Sequence, residues 1–531
     1  LTDMLDFTFQ QLGMPLPEGL TAVRNFYNQP YFNAGYIETA FAQLPAADRQ
    51  QLAAQFINPI SHNQADRQVT FTQLKLLLRM LRFWRRFKHQ LPDLLARFRA
   101  DVAALDALLL DSTPDDEIIS QIQHMVFQGA SRLLNGDFLL IALAGTFNRL
   151  SIRILRRCYD DDAPEILNNL ITGVTGNVIM ETNQLLWNLA QQANASLEVR
   201  QALLASNSAS SVSMLAETAA GQRFLAELQE MMAICGHREM HLDILYPTWG
   251  EDPTPVLAYV RNYLDADPRQ NPTVRQYALV AKREKLTRQV LSRMGRTLAG
   301  RLLFAPLFRW LLEQIHQLLR ERDTMHFEWT RLFPPCRKLL LELGRRWCER
   351  SLLTLPEDIF YLRLEEMAAL CHDPQPQGHL IKTRRSELAD NLHGPWPEII
   401  DDGLEIFREQ AHHENGRLYG IAGSPGQVTG PCRIINGPQD FGRLENGDIL
   451  IAPLTNPVWT PLFAIAGGLV TNVGGILSHG AIVAREYGLP AVMSVSGATD
   501  QLQDGQLVTV DGSKGTVSLL SMNDPPHPPL R

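Results

Sequence analysis

The segment Thr471–Val492, TNVGGILSHGAIVAREYGLPAV, holds residue types and spacings suited to phosphoryl chemistry. Gly474 and Gly475 supply a turn whose backbone N–H groups can converge on an anion. Ser478 and His479 follow at a predicted loop-to-helix junction, and the helix AIVAREY ends at Gly488, a C-cap residue. A histidine at a helix N-terminus faces the positive end of the dipole, which disfavours imidazolium and leaves a ring nitrogen free to attack. The same N–H groups, with the Ser478 and Thr471 hydroxyls, favour a dianion attached to that nitrogen. Taken by residue type alone, two readings stand: a histidine that caps a helix, or one that accepts and hands on a phosphoryl group.

Two further groupings have suggestive spacing. Arg322 and His326 are four residues apart in RDTMHFEW and share one helical face, with Asp323 beside them; arginine offers a fork of donors matched to phosphate oxygens. His237 and His241 in HREMH have the spacing of helical metal ligands, but a zincin needs Glu after the first His and Arg238 stands there. The basic stripe Lys75, Arg79, Arg82, Arg85, Arg86 and Lys88, interleaved with Phe83, Trp84 and Phe87, reads as the solvated side of an amphipathic helix. Cys371–His372 has no third group in sequence to make a thiol nucleophile.

The elements that must position these groups come in two textures. From about Thr70 to Gln410, apolar residues recur at three- and four-residue spacing, a helical pattern. After about Gly416, short β-type runs alternate with Gly, Pro and Asn-Gly turns around one clear helix. The expectation is a multidomain α+β chain: a mostly helical domain over 1–410, a compact β/α domain over 411–522 reached through a polar linker at 405–418, and a proline-rich disordered tail at 523–531. Forty-nine basic against 57 acidic residues, net charge −8, argue against nucleic acid as the main partner. Six cysteines without a CxxC pair exclude a disulfide scaffold and suggest a reducing, cytoplasmic setting. The long uncharged stretch 451–484 is too rich in Gly and Pro for a membrane span. The sequence opens on Leu1, which reads as a processed chain or a piece of a longer one, and the opening residues lack the pattern of a signal peptide.

The order GIAGSPGQVTGPCRI, GDILIAPLTNPVWTPLF, GGILSHGAIVARE and LVTVDGSKGTV closely resembles the phosphohistidine swivelling domain of the phosphoenolpyruvate-utilising enzyme family over about 100 consecutive residues. The resemblance implies that His479 is the residue phosphorylated, that Thr471, Gly474, Gly475 and Ser478 form the supporting turn, and that Arg485 matches a helix arginine. About a dozen residues follow this domain, so a pyruvate-binding barrel of ~250 residues does not fit after it. The helical-then-histidine order resembles the rifampicin phosphotransferase type and related natural-product enzymes. PEDIFYL (Pro356 to Leu362), GHREMHLDILYPTWGEDP and RDTMHFEWTRLF are similar to segments of that type.

By that resemblance His237 and Arg238 line a substrate pocket, and Arg322, Asp323 and His326 sit where the phosphohistidine meets its acceptor. Asp323 and His326 stand where the family has Glu and Lys, which puts the state of that site in question; His326 as the base on an acceptor hydroxyl is the active reading. No G-x-x-x-x-G-K-[ST] loop occurs, and no ATP-grasp pattern is seen. ATP and Mg²⁺ are therefore expected on an ATP-grasp module or subunit, with none bound by this chain. The acceptor is expected to be a small molecule, hydrophobic or aromatic. The alternatives are an ATP-dependent ligase of the prodigiosin-forming type, or a phosphocarrier without an acceptor pocket.

Overall fold

The computed structural model describes residues 23–26, 29–32, 71–391, 399–401, 404–406 and 416–520, apart from 175, 177, 205–207, 239–242, 457–458 and 476–477. Most of the 405–418 linker, the 523–531 tail and His241 lie outside the described residues. The chain forms a large helical part followed by a mixed sheet, as its two textures imply. Two compact units are resolved: one comprises 1–139, 242–248 and 325–407, the other 140–241, 249–324 and 408–531.

Helix α1, Phe71–Asp106, runs through the first unit. Its core stripe is Trp84, Phe87, Leu91, Phe98 and Leu105, all buried, while Arg82, Arg85, Arg86 and Lys88 are exposed. The basic stripe is thus the solvated side of an amphipathic helix. The core continues through Ile118, Ile119 and Ile122 and through Leu339, Leu343 and Trp347 of Phe333–Glu349. Gly344 lets that helix lie against the Pro356 turn, where a Cβ would stand 2.2 Å from the Pro356 carbonyl oxygen. Asp358 of PEDIFYL accepts from the Thr354 and Leu355 N–H groups at 3.1 and 2.9 Å and ion-pairs with Arg385, so this motif is a structural anchor.

The second unit contains α2, Val178–Asn194; α3, Thr254–Tyr263; and α4, Pro272–Met294. Asn271 caps α4 by accepting from the Thr273 and Val274 N–H groups. Helix α5, Ala305–Trp329, is continuous, and the division between units falls inside it, after Thr324.

The sheet has eight strands: β1 Arg417–Tyr419, β2 Ile421–Ser424, β3 Gln427–Ile434, β4 Ile449–Ala452, β5 Gly468–Thr471, β6 Ala491–Met493, β7 Leu507–Asp511 and β8 Thr516–Leu519. Their order is β1-β8-β7-β3-β4-β5-β6-β2. Strands β3 to β6 run parallel, and the flanking pairs are antiparallel. Every residue of β4, β5 and β6 is buried, which explains their unbroken apolar runs. Helix α6, His479–Tyr487, connects β5 to β6 and ends at Gly488, whose φ of 61° is left-handed. Within this unit α6 lies on the helical segments: Glu486 accepts from the Val174 N–H at 3.2 Å, Asn183 bonds the Tyr487 hydroxyl, and Arg275 of α4 donates to the Ala464 carbonyl at 3.1 Å.

Candidate functional site

Strand β5 delivers the chain to a turn at Gly474, whose φ of +143° suits glycine alone. The Ser494 hydroxyl holds the Gly474 carbonyl at 2.9 Å. Ser478 is the N-cap of α6: its hydroxyl donates to the Gly475 carbonyl at 2.7 Å and accepts from the Ala481 N–H at 3.4 Å, fastening the glycine turn to the first turn of the helix. His479 is the first helical residue and is half-buried. Its Nε2 lies 3.2 Å from the hydroxyl of the fully buried Thr460. Gly480 comes next, and a Cβ there would stand 2.4 Å from the Thr455 hydroxyl. Any larger residue would push Thr455 away from the helix start.

The ring thus belongs to the first turn of a helix, where N–H groups lack intrahelical partners, and it has the Thr460 hydroxyl beside Nε2. Such a setting suits a nitrogen that bears a phosphoryl group: the dipole and the donors favour negative charge at the same point.

The sequence-predicted residues divide. Gly474, Gly475, Ser478 and His479 are brought together. Thr471 is fully buried, with its hydroxyl 3.8 Å from the sulfur of Met493, whose methyl would stand 3.1 Å from a Cβ on Gly474 or Gly480. Arg485 is buried inside the sheet domain and donates to the Gly423 carbonyl at 2.7 Å; burial, with the Arg322 charge adding, brings its guanidinium down to about 10. Arg322 and Asp323 stand close enough to the C-terminal half of α6 for their charges to act on Arg485 and Glu486. Asp323 is buried. His326, four residues on, is grouped with the first unit, where its ring meets Trp329 edge-on at 5.6 Å.

His237 and Arg238 are buried, and the Arg238 guanidinium lies 5.5 Å from the Trp249 ring. They sit in a packed interior with Tyr259, whose hydroxyl burial pushes up well above its ordinary value. Among the described residues, no group of three or more His, Cys, Asp or Glu side chains is arranged to hold a metal ion. No described helix is long and apolar enough to cross a membrane.

Three residues escaped the sequence reading. Thr455 and Thr460 belong to TNPVWT, whose link to His479 depends on β4 and β5 being neighbours. Glu486 is fully buried: one carboxylate oxygen accepts from the Val174 N–H, the other is unpartnered, and burial raises the acid to about 8.

Comparison with known proteins bears on this geometry. Residues 444–515, which include the turn and His479, match the mobile domain of the PEP-utilising enzymes, and residues 138–323 match the rifampicin phosphotransferase fourth domain. The chain is related to the phosphoenolpyruvate-utilising enzymes of the rifampicin phosphotransferase type. A rifampicin phosphotransferase of Streptomyces sviceus is 31% identical over 287 residues, covering 53% of this chain and 32% of that protein. An uncharacterised phosphotransferase of Bacillus subtilis is 31% identical over 388 residues, 69% of this chain and 45% of the relative. A chondramide synthase of Chondromyces crocatus is 32% identical over 406 residues, 69% of this chain and 10% of the relative. The chain thus spans less than half the length of each. The fourth-domain match takes in His237, Arg238, Arg322 and Asp323 and stops short of His326.

Proposed function

We propose that this chain is the carrier and acceptor part of a phosphotransferase, with His479 as the residue that carries the phosphoryl group. The observation that supports it most is the half-buried His479 ring at the capped start of α6, with Nε2 beside the Thr460 hydroxyl. A ring nitrogen attacks phosphorus on a nucleotide held by an ATP-grasp module or subunit. An N–P bond forms, the P–O bond to the nucleotide breaks, and the leaving oxygen takes the electron pair. Magnesium belongs with the nucleotide on that module.

The sheet domain, 411–522, then swings about the 405–418 linker toward the helical domain as a hinge motion. A hydroxyl of a small-molecule acceptor attacks the phosphorus, the N–P bond breaks, and the hydroxyl proton passes to a base. Arg322 is assigned to the equatorial oxygens, His326 further along α5 to the proton, and Asp323 to orienting that end of the helix. His237, Arg238, Thr471, Gly474, Gly475 and Ser478 support the acceptor and the phosphoryl group in the same scheme.

The test is transfer of label from ATP. With a nucleotide-binding subunit present, the wild-type chain takes up one acid-labile, alkali-stable phosphate, and His479→Ala takes up none. Label that survives this substitution would end the reading. The match to a chondramide synthase over 69% of the chain favours a second outcome, in which the activated oxygen is displaced by a nucleophile. Product analysis separates the two: a stable phosphate ester in the first, a condensed product with free phosphate in the second.

A further inference from the structure

A small pocket opens on the second unit away from His479, between α4 and its neighbouring 169–172 segment on one side and the end of β2 with Gly488 on the other. Its volume is about 80 Å³, too small for an organic substrate and enough for a small ion. Its lining is cationic and rich in donors: Lys282 and Arg283 from α4, Asn169 and Thr172, and Ser424 from β2. Arg283 Nη1 is fixed by the Thr172 and Gly173 carbonyls. Among the described residues its remaining N–H groups meet no acceptor and no carboxylate lies within ion-pair distance of it or of Lys282. Ser424 is fully buried, and its hydroxyl has no partner.

The nearby carboxylates do not neutralise this corner. Glu486 is turned onto the Val174 N–H, and burial holds it protonated to about 8; Glu284 acts on Arg283 only at a distance. Burial lowers the Arg283 guanidinium below its ordinary value, and the charges of Glu486 and Glu284, acting the other way, do not offset it. Such a corner has a fixed guanidinium with an open edge, a lysine within reach and an unspent buried hydroxyl.

We propose that this pocket binds a tetrahedral oxyanion of the phosphate class, held by Arg283, Lys282 and Ser424. Its lining comes from a helix of the helical part and a strand of the sheet part, so the bound ion fastens one to the other. That consequence, though not the site, rests on the carrier reading given above: an ion here retains the domain that bears His479 in the position seen in this structure.

The test uses the full chain and inorganic phosphate, with sulfate, acetate and chloride at matched ionic strength. Phosphate binds saturably by calorimetry and raises the melting temperature, sulfate does so more weakly, and acetate and chloride do not. Lys282→Glu, at an exposed position that leaves the fold intact by circular dichroism, weakens phosphate binding about tenfold or more. Ser424→Ala weakens it severalfold with the fold likewise retained. His479→Ala leaves it unchanged, which separates this site from the carrier proposal. An equal effect of chloride, binding indifferent to both Lys282→Glu and Ser424→Ala, or binding lost in His479→Ala would each overturn the assignment.

Discussion

The two compact units treat their charged groups in opposite ways. In the first, buried or half-buried carboxylates are met by guanidinium groups. Asp115 receives Arg346, Arg350 and the Trp347 indole N–H at 2.8–3.0 Å; Glu366 takes Arg384, and Glu328 takes both Arg99 and Arg331. Arg345 and Arg346 hold the Glu342 carboxyl down to about 2. In the second, Arg433 meets the buried Asp448 at 2.8 Å, but on α6 and α5 burial dominates. Glu486 is pushed up to about 8 and His316 down to about 4, each holding one backbone group: the Val174 N–H and the Leu170 carbonyl. Desolvated, under-paired groups are costly and concentrate where structure serves something besides stability. Glu486 lies where α6 rests on the helical segments, and His316 on α5 holds the Leu170 carbonyl at 2.8 Å. In the carrier reading proposed above, the α6 contact is the one a moving sheet domain would leave and regain.

The largest expected effect follows from Glu486. The folded chain keeps a proton on this acid up to about pH 8, whereas the unfolded chain releases it near the ordinary glutamate value of 4.5. Stability therefore falls as pH rises between those values, by up to about 5 kcal/mol above pH 8. The groups acting on it are Asp323, which raises the value, and Arg485, Arg283 and the Val174 N–H, which lower it. His316 has the opposite slope, because burial lowers its folded value and the unfolded chain binds its proton first. The difference between wild type and Glu486→Gln isolates the acid. Denaturant melts from pH 5 to 9 will show the variant gaining on wild type as pH rises; two parallel curves would place Glu486 in water and erase the contrast between the units.

Next in size is Asp115→Ala in the first unit. Its side chain is only 10% exposed, and its loss leaves the Trp347 N–H without its acceptor and takes one of two carboxylates from Arg346, itself 14% exposed, which keeps Glu342 and the Thr113 and Leu110 carbonyls. Breaking a buried pair of this kind costs about 3 kcal/mol. Thermal unfolding measures it. Because the unit is read as scaffold, phosphoryl uptake by the folded variant stays at the wild-type level. A loss of uptake at full folding would mean that the first unit takes part in charging His479, beyond the acceptor step assigned to His326.

A smaller effect is expected at the start of α6. Gly480→Ala brings a Cβ to 2.4 Å from the Thr455 hydroxyl, a side-chain atom that is able to yield. The expected cost is about 2 kcal/mol from overpacking, and Gly480→Ala combined with Thr455→Ala recovers most of it. At Gly344 the obstacle is the Pro356 backbone oxygen, so no side-chain trimming rescues Gly344→Ala. Chemical denaturation of these three variants tests the distinction; a double variant no more stable than Gly480→Ala would deny it.

These contrasts also show what the sequence made legible. The cap, helix and stop of α6 are local: Ser478, the apolar run and Gly488 lie within eleven residues and specify one another. The exposed arginines of α1 were legible for the same reason, since helical period alone separates them from Trp84 and Phe87. Thr471, read as part of the phosphate-supporting turn, lies on a wholly buried strand with its hydroxyl toward the Met493 sulfur, a neighbour that no local pattern announces. Glu486 drew no notice in the sequence, because its partner Val174 is 312 residues away. Arg322 and His326 share a helical face as their spacing indicates, yet the packing assigns them to different units. Period and caps are written locally; which face meets which neighbour is decided by contacts that close only when the chain does.

The smallest change in stability is expected from Thr460→Val, and it bears most directly on the chemistry. The substitution keeps the buried volume and removes the hydroxyl that stands 3.2 Å from His479 Nε2. One hydrogen bond is worth about 1 kcal/mol to the fold. A threonine hydroxyl can donate to a bare ring nitrogen or, after rotation, to a phosphoryl oxygen. It therefore orients the ring before transfer and binds the new charge during it, and interactions that strengthen along the reaction act on rate. Phosphoryl uptake should fall about tenfold while the melting temperature moves little, and Thr460→Ser, which restores the hydroxyl without the methyl, should recover the rate. Equal losses in the valine and serine variants would show that Thr460 acts by packing alone, leaving the α6 N–H groups and Thr455 to set the position of the His479 ring.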